Sequence, residues 1–206
     1  MATNNIELKS IRSLSGLKFY IPDYQRGYRW SDGQVIQMLN DFKEFCKRID
    51  NDQVKAGEFY CLQPIVVKKK TWTDIEDGHS VITEGYEVID GQQRLTTLYI
   101  VFKSIEQICQ VIYRQFKFYN IKYETRLEYD SQCFLQNINN STAKADDFID
   151  FYYMKLVHDA VSSWFNSNPD DDLKIARALL EQSIDSDTNI DKAKNVRVIW
   201  YEVMDE

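Results

Sequence analysis

The sequence predicts an α+β fold. Strand-like runs occur at residues 18–22, 59–67, 86–90 and 196–203, and amphipathic stretches with helical spacing open at Ser31 and near Gln92. Seven glycines and three prolines in 206 residues leave little chain for flexible linkers. A chain of this length suits one large domain, or a main domain with a helical appendage.

Each element has a local reason. Lys18-Phe19-Tyr20-Ile21 is strand-like until Pro22, and Asp23 to Trp30 forms a loop rich in aromatics and arginine. Ser31 with Gln34 three residues on is a capping-box pattern, which satisfies free N–H groups at a helix start. The helix it opens places Val35, Leu39, Phe42, Cys46 and Ile49 on one stripe, and the polar residues 50–58 should turn. Phe59 to Val67 reads as a buried strand in which Pro64 requires an edge or a bulge. Residues 68–80 are expected to form a hairpin tip, and Tyr86 to Asp90 a second strand. A long helix follows over about 92–113, with Leu95, Leu98, Phe102, Ile105, Cys109 and Ile112 on one face. Residues of about 145–166 form another helix through Phe148, Tyr152, Val157, Val161 and Trp164. Asp172 opens a last one through Leu173, Ala176 and Leu180, and Val196 to Val203 closes the chain as a strand.

Composition removes several function classes. Apolar residues make up 44% and charged residues 28%, the profile of an ordinary folded domain, and the net charge of −7 argues against a generic basic nucleic-acid binder. Positive charge is local: residues 1–30 hold Lys9, Arg12, Lys18, Arg26 and Arg29 against only Glu7 and Asp23. Cys46, Cys61, Cys109 and Cys133 show no C-x-x-C spacing, and Cys46 and Cys109 fall in apolar helical patterns as small buried hydrophobes. With only His79 and His158 besides, a structural zinc site is not expected. The polar N-terminus and the lack of any apolar run near the ~20 residues of a membrane span predict a cytoplasmic protein.

The segment Val88 to Thr97 carries the chemistry. A strand runs into Gly91, and Gly91 runs directly into a helix. Glycine permits a left-handed turn and close approach of a ligand to the backbone. The first N–H groups of a helix lack internal partners, and the helix dipole adds about half a positive charge there. Such a corner is an anion site before any side chain contributes. Arg94, one turn in, could add a forked pair of donors; Gln92 and Gln93 offer amides; Asp90 could accept a proton or hold a divalent cation through water. Two plainer readings stand beside this one, an Asp-Gly hairpin turn and a second capping box from Asp90 and Gln93. The helical period after the turn speaks against the hairpin. No Walker loop or G-x-G-x-x-G element occurs. In the 21–30 loop, Arg26 and Arg29 among Tyr24, Tyr28 and Trp30 could clamp phosphate and stack a base, or the aromatics could simply pin the loop to the core.

Ile21 to Trp30, read as I-P-x-Y-Q-R-x-Y-x-W, and Val88 to Leu98, read as V-I-D-G-Q-Q-R-L-T-T-L, resemble the N-terminal signature of the GmrS-like, D-G-Q-Q-R family of GmrSD-type modification-dependent restriction systems. That family is similar in fold to ParB and sulfiredoxin. The likeness continues through Tyr123 to Arg126 and Val198 to Glu202. It implies a ParB/sulfiredoxin-like mixed sheet with helices over residues 1–117, followed by a mainly helical extension over 118–206 that ends in a strand. It further implies a regulatory domain that binds, and often hydrolyses, a nucleoside triphosphate with magnesium in a defence system acting on modified phage DNA. Gln25, Arg26, Gly91, Gln92, Gln93 and Arg94 would hold the nucleotide, with Asp90 and Arg94 as catalytic candidates. DNA would be met through a larger assembly, with cutting by a separate HNH-type nuclease domain or subunit. Two departures stand out: Cys61-Leu62-Gln63-Pro64 where members show a glycine, and an R-x-N-x-G-like segment expected beyond the last strand. The second implies part of a longer protein or a reduced member. The competing functions are a DNA-contacting adaptor using Arg26, Arg29 and Lys68-Lys69-Lys70, and an interaction scaffold with a vestigial pocket.

Overall fold

Alternation along the strands sorts side chains to two faces of one sheet, and only one face is apolar enough to bury. The computed structural model describes residues 4–76, 79–114, 116–126, 134–135, 138 and 148–204. Its strands are β1 (Asn5–Ser10), β2 (Lys18–Ile21), β3 (Tyr60–Glu76), β4 (His79–Asp90), β5 (Asn120–Tyr123) and β6 (Val196–Val203). They form a mixed sheet in the order β1-β6-β3-β4-β2-β5. β3 and β6 run parallel, as do β2 with β4 and β2 with β5; β1–β6 and β3–β4 are antiparallel. The sheet draws on both sides of residue 117, since β6 lies between β1 and β3.

Five α-helices occur among the described residues: α1 (Asp32–Asp50), α2 (Gln92–Ser104), α3 (Glu106–Ile112), α4 (Ile149–Ser167) and α5 (Asp171–Leu180). The α+β class is as the sequence predicts. One buried cluster joins Phe19, Ile65, Val67, Val88, Ile121 and Trp200 on the sheet to Leu39 and Phe42 of α1, Leu95 and Leu98 of α2, and Met154 of α4. The opposite face carries Tyr20, Lys68, Lys70, Trp72 and Glu87, which the register places together.

Several expectations change in detail. β3 does not stop at Val67: Lys68, Lys69 and Lys70 continue the strand, paired with Glu87, Tyr86 and Gly85, and the β3–β4 pairing runs on to Glu76 and His79. The predicted 92–113 helix breaks at Ile105, whose φ of −113° and ψ of 23° end α2 before α3 begins. Ile112 consequently turns outward and is exposed. Pro64 marks a bulge in a central strand: the β3–β6 register shifts between Leu62 and Ile65, the accommodation a residue without an N–H needs. Ser31 caps α1 as predicted, with its N–H donating to Gln34 Oε1 at 3.0 Å. Cys46 and Cys109 are buried; Cys133 and the start of the predicted 145–166 helix lie outside the described residues.

Candidate functional site

β4 delivers the chain to Gly91, which has φ +100° and ψ 5° and is the N-cap of α2. A Cβ here would lie 3.2 Å from the Ile65 Cα and Cγ1 and from the Pro64 carbonyl. Conformation and space therefore both demand glycine. The first intrahelical bond runs from Leu95 N–H to Gly91 O at 3.0 Å, and no side chain caps the helix. The N–H groups of Gln92, Gln93 and Arg94 thus stand at a positive helix end without a side-chain cap. Both plainer readings fall away: the turn leads into a helix rather than a returning strand, and Gln93 is engaged elsewhere instead of reaching back to Asp90.

Its partners are in the 22–30 loop. Gln93 Oε1 accepts the Arg29 N–H at 2.9 Å, and Gln93 Nε2 donates to Gly27 O at 3.3 Å. Gln92 Nε2 donates to Arg26 O, and Gln25 Nε2 donates to Val88 O and Ile89 O at 2.6 and 2.8 Å. Beneath them, Tyr28 and Thr97 share a buried hydroxyl contact of 2.6 Å, while Thr97 Oγ1 also bonds Gln93 O at 2.8 Å. The next hydroxyl along, on Thr96, meets Tyr123 of β5 at 2.6 Å. Burial pushes the phenols of Tyr28 and Tyr123 far up, so both remain protonated. The two sequence segments clasp each other, and the three glutamines do the clasping.

A pocket of about 350 Å³ opens at this corner, lined by Gln25, Arg26, Gly91, Gln92, Gln93 and Arg94, with Asp90 and Trp30 completing the wall. All seven residues nominated for the nucleotide are brought together. Their availability differs. Arg94 is largely buried; Nη1 donates to Gln63 Oε1 at 2.8 Å, and Nη2 donates to Pro64 O and to Asp90 Oδ2, the latter at 3.2 Å. Arg26 is exposed and makes no side-chain hydrogen bond or ion pair among the described residues. Asp90, with its carboxylate 67% exposed, is the one acid on the wall.

The family described as the GmrSD restriction endonuclease, N-terminal domain, matches residues 6–206. The chain belongs to that family. No individually curated protein matches it. Membership gives this GmrSD N-terminal domain a role in a restriction system.

The remaining nominated groups are less free. Lys69 lies 3.5 Å from Glu202, and Lys70 pairs with Glu87 at 2.6 Å while sitting 4.2 Å over the Tyr20 ring. Tyr24 also donates to Glu87, at 2.9 Å. Burial alone would raise the Glu87 carboxyl, but the bonds from Lys70 and Tyr24 prevail and hold it below its ordinary value. Arg29 bonds Tyr28 O at 3.1 Å and lies 5.5 Å over Tyr153. Gln63 and Pro64 are the partners that sequence reasoning missed; the proline in a buried strand was the available signal. Among the described residues, no three His, Cys, Asp or Glu side chains gather as a metal site, and no helix is long and apolar enough to cross a membrane.

Proposed function

We propose that this domain binds a nucleoside triphosphate at the Gly91 corner and serves as the regulatory module of its restriction system. The observation that carries the reading is the pocket itself, where an uncapped helix N-terminus and the Arg26 guanidinium, unpaired among the described residues, face one cavity. Phosphate oxygens would take the N–H groups of residues 92–94, with Arg26 closing over them. Trp30 offers the wall on which a base can stack. One carboxylate is too few for a metal cage, so magnesium would come with the phosphates and meet Asp90 through water. Hydrolysis in this site would depend mainly on positioning and charge neutralisation, with Asp90 orienting water. DNA and an HNH-type nuclease would be met in the larger assembly. A DNA-contacting role through Lys69 and Lys70 has less support, because both face a carboxylate of their own.

The test is a thermal-shift panel of ATP, GTP, CTP and UTP, with and without magnesium. A ligand at 100 times its Kd adds about 2.7 kcal/mol, or roughly 5–10 °C for a domain of this size. A flat panel on folded protein would refute the proposal.

A further inference from the structure

We infer that Arg94 is a positioning residue that holds the β3 bulge against Gly91, and that Arg26 is the guanidinium that meets the ligand. The inference rests on the nucleotide reading of the corner and divides between two arginines a task the sequence assigns to both.

A bulge takes backbone groups out of the ladder, and a guanidinium that meets the freed carbonyl can hold the bulge in place. The Pro64 carbonyl lies at the β3 bulge, and Arg94 Nη2 supplies its donor. Arg94 Nη1 takes the neighbouring Gln63 side chain, and Nη2 also reaches Asp90 at the end of β4. One guanidinium thereby ties the bulge of β3 to the strand that enters the corner. The same bulge forms the floor under residue 91: Pro64 O and Ile65 are the atoms a Cβ there would touch at 3.2 Å. To fork around a phosphate, Arg94 would have to release Gln63, Pro64 and Asp90 and give up the tie between the bulge and the end of β4. Among the described residues Arg26 has no such bonds to break. Its main chain is fixed instead, because Gln92 Nε2 holds the Arg26 carbonyl while the side chain stays free in the pocket. Geometry thus assigns charge delivery to Arg26 and floor maintenance to Arg94.

The experiment uses Arg26→Ala, Arg94→Ala, Arg94→Lys, Gln63→Ala and the Gln63→Ala/Arg94→Ala double variant. For each, ligand-free melting is recorded, together with the affinity for whichever of ATP, GTP, CTP or UTP binds the unmodified domain most tightly. Arg26→Ala should lose about tenfold or more in affinity with ligand-free melting unchanged. Arg94→Ala should melt about 3–6 °C lower without ligand, and Arg94→Lys should recover part of that loss. Gln63 is not on the pocket wall, so the informative result is its dependence on Arg94. Gln63→Ala should weaken binding a few-fold when Arg94 is present and have no further effect when Arg94 is absent. The inference is overturned if Arg94→Ala abolishes binding while ligand-free melting is unchanged, or if the Gln63 effect persists in the double variant. Should Arg94→Ala not fold, Arg94→Lys and Gln63→Ala still decide between the two roles. Should none of the four nucleotides bind the unmodified domain, the proposed function fails, and the ligand-free melting arm still tests Arg94.

Discussion

Two pockets of similar size invite opposite conclusions. The Gly91 corner encloses about 350 Å³ and has two arginines and one acid on its wall. A second pocket of about 390 Å³ is richer in cations, with Lys174, Arg177, Lys192 and Lys194 on its wall beside Asp50 and Glu181. By a count of charges the second is the better anion site. Its lysines, however, are already matched: Lys174 to Asp50 at 2.6 Å, Lys194 to Asp52 at 3.5 Å, and Lys192 to Asp185. It also lies where α1 ends at Asp50 and α5 ends at Leu180, and helix C-termini favour cations over anions. The corner has the opposite pole, at the start of α2. What makes an anion site is charge not yet neutralised at a positive helix end, rather than the number of basic residues.

If that contrast is right, the corner should be the more fragile of the two, because its geometry depends on one backbone angle. Gly91→Ala forces an L-residue to φ +100° and presses a methyl group on Ile65 and Pro64. The left-handed conformation costs about 1–2 kcal/mol and overpacking about 1–3 more. Denaturant unfolding should register about 2–5 kcal/mol of lost stability, with nucleotide binding gone. A well-folded Gly91→Ala domain that still binds would show that the turn is not what makes the site.

The next effect comes from the hydroxyls under the corner. Thr97→Val keeps the shape and removes the partner of the buried Tyr28 hydroxyl, which should cost about 1–3 kcal/mol as an orphaned donor. Adding Tyr28→Phe should return part of that loss, since no buried hydroxyl then lacks a partner. Additive losses in the two-variant cycle would mean that the 2.6 Å contact does not hold the loop to α2.

Much of the corner could be read in the sequence because its signals are local. A strand, a glycine and a helical period in direct succession leave few geometries, and the Ser31–Gln34 cap is written within four residues. What escaped reading depends on pairing at a distance. β1 and β5 are edge strands whose partners lie at Arg197–Glu202 and Lys18–Ile21, so nothing local marks them. The run Lys68-Lys69-Lys70 looks like a tip, yet it is strand because β4 supplies its ladder and Glu87 and Glu202 lie within reach of Lys70 and Lys69. The break at Ile105 interrupts an apolar stripe that keeps helical spacing on both sides of it. The partners of the glutamines escape reading for the same reason: Gln92 and Gln93 bond Arg26, Gly27 and Arg29, and Gln25 bonds Val88 and Ile89, all more than sixty residues away in sequence.

The smallest expected effect tests the other half of the contrast, the claim that the second pocket's lysines are already neutralised. Lys192 above all, then the hydroxyl and N–H of Thr188 at 2.8 and 2.9 Å, pull the Asp185 carboxyl down to about 2. An unfolded aspartate titrates near 3.9. With the folded value depressed, the unfolded chain binds the proton first on acidification. The stabilising contribution is therefore complete above pH ~3.9 and is lost as pH falls toward 2. Asp185 is exposed, so the change in melting temperature will be slight. The carboxyl resonance of Asp185 in an NMR titration is the sharper measurement, and its midpoint should fall near pH 2. Asp185→Asn should flatten the acid dependence in that window. A midpoint close to 3.9 would mean that Lys192 is only loosely held. The second pocket would then offer Lys192 beside Arg177, and the distinction between the two sites would rest on the helix poles alone.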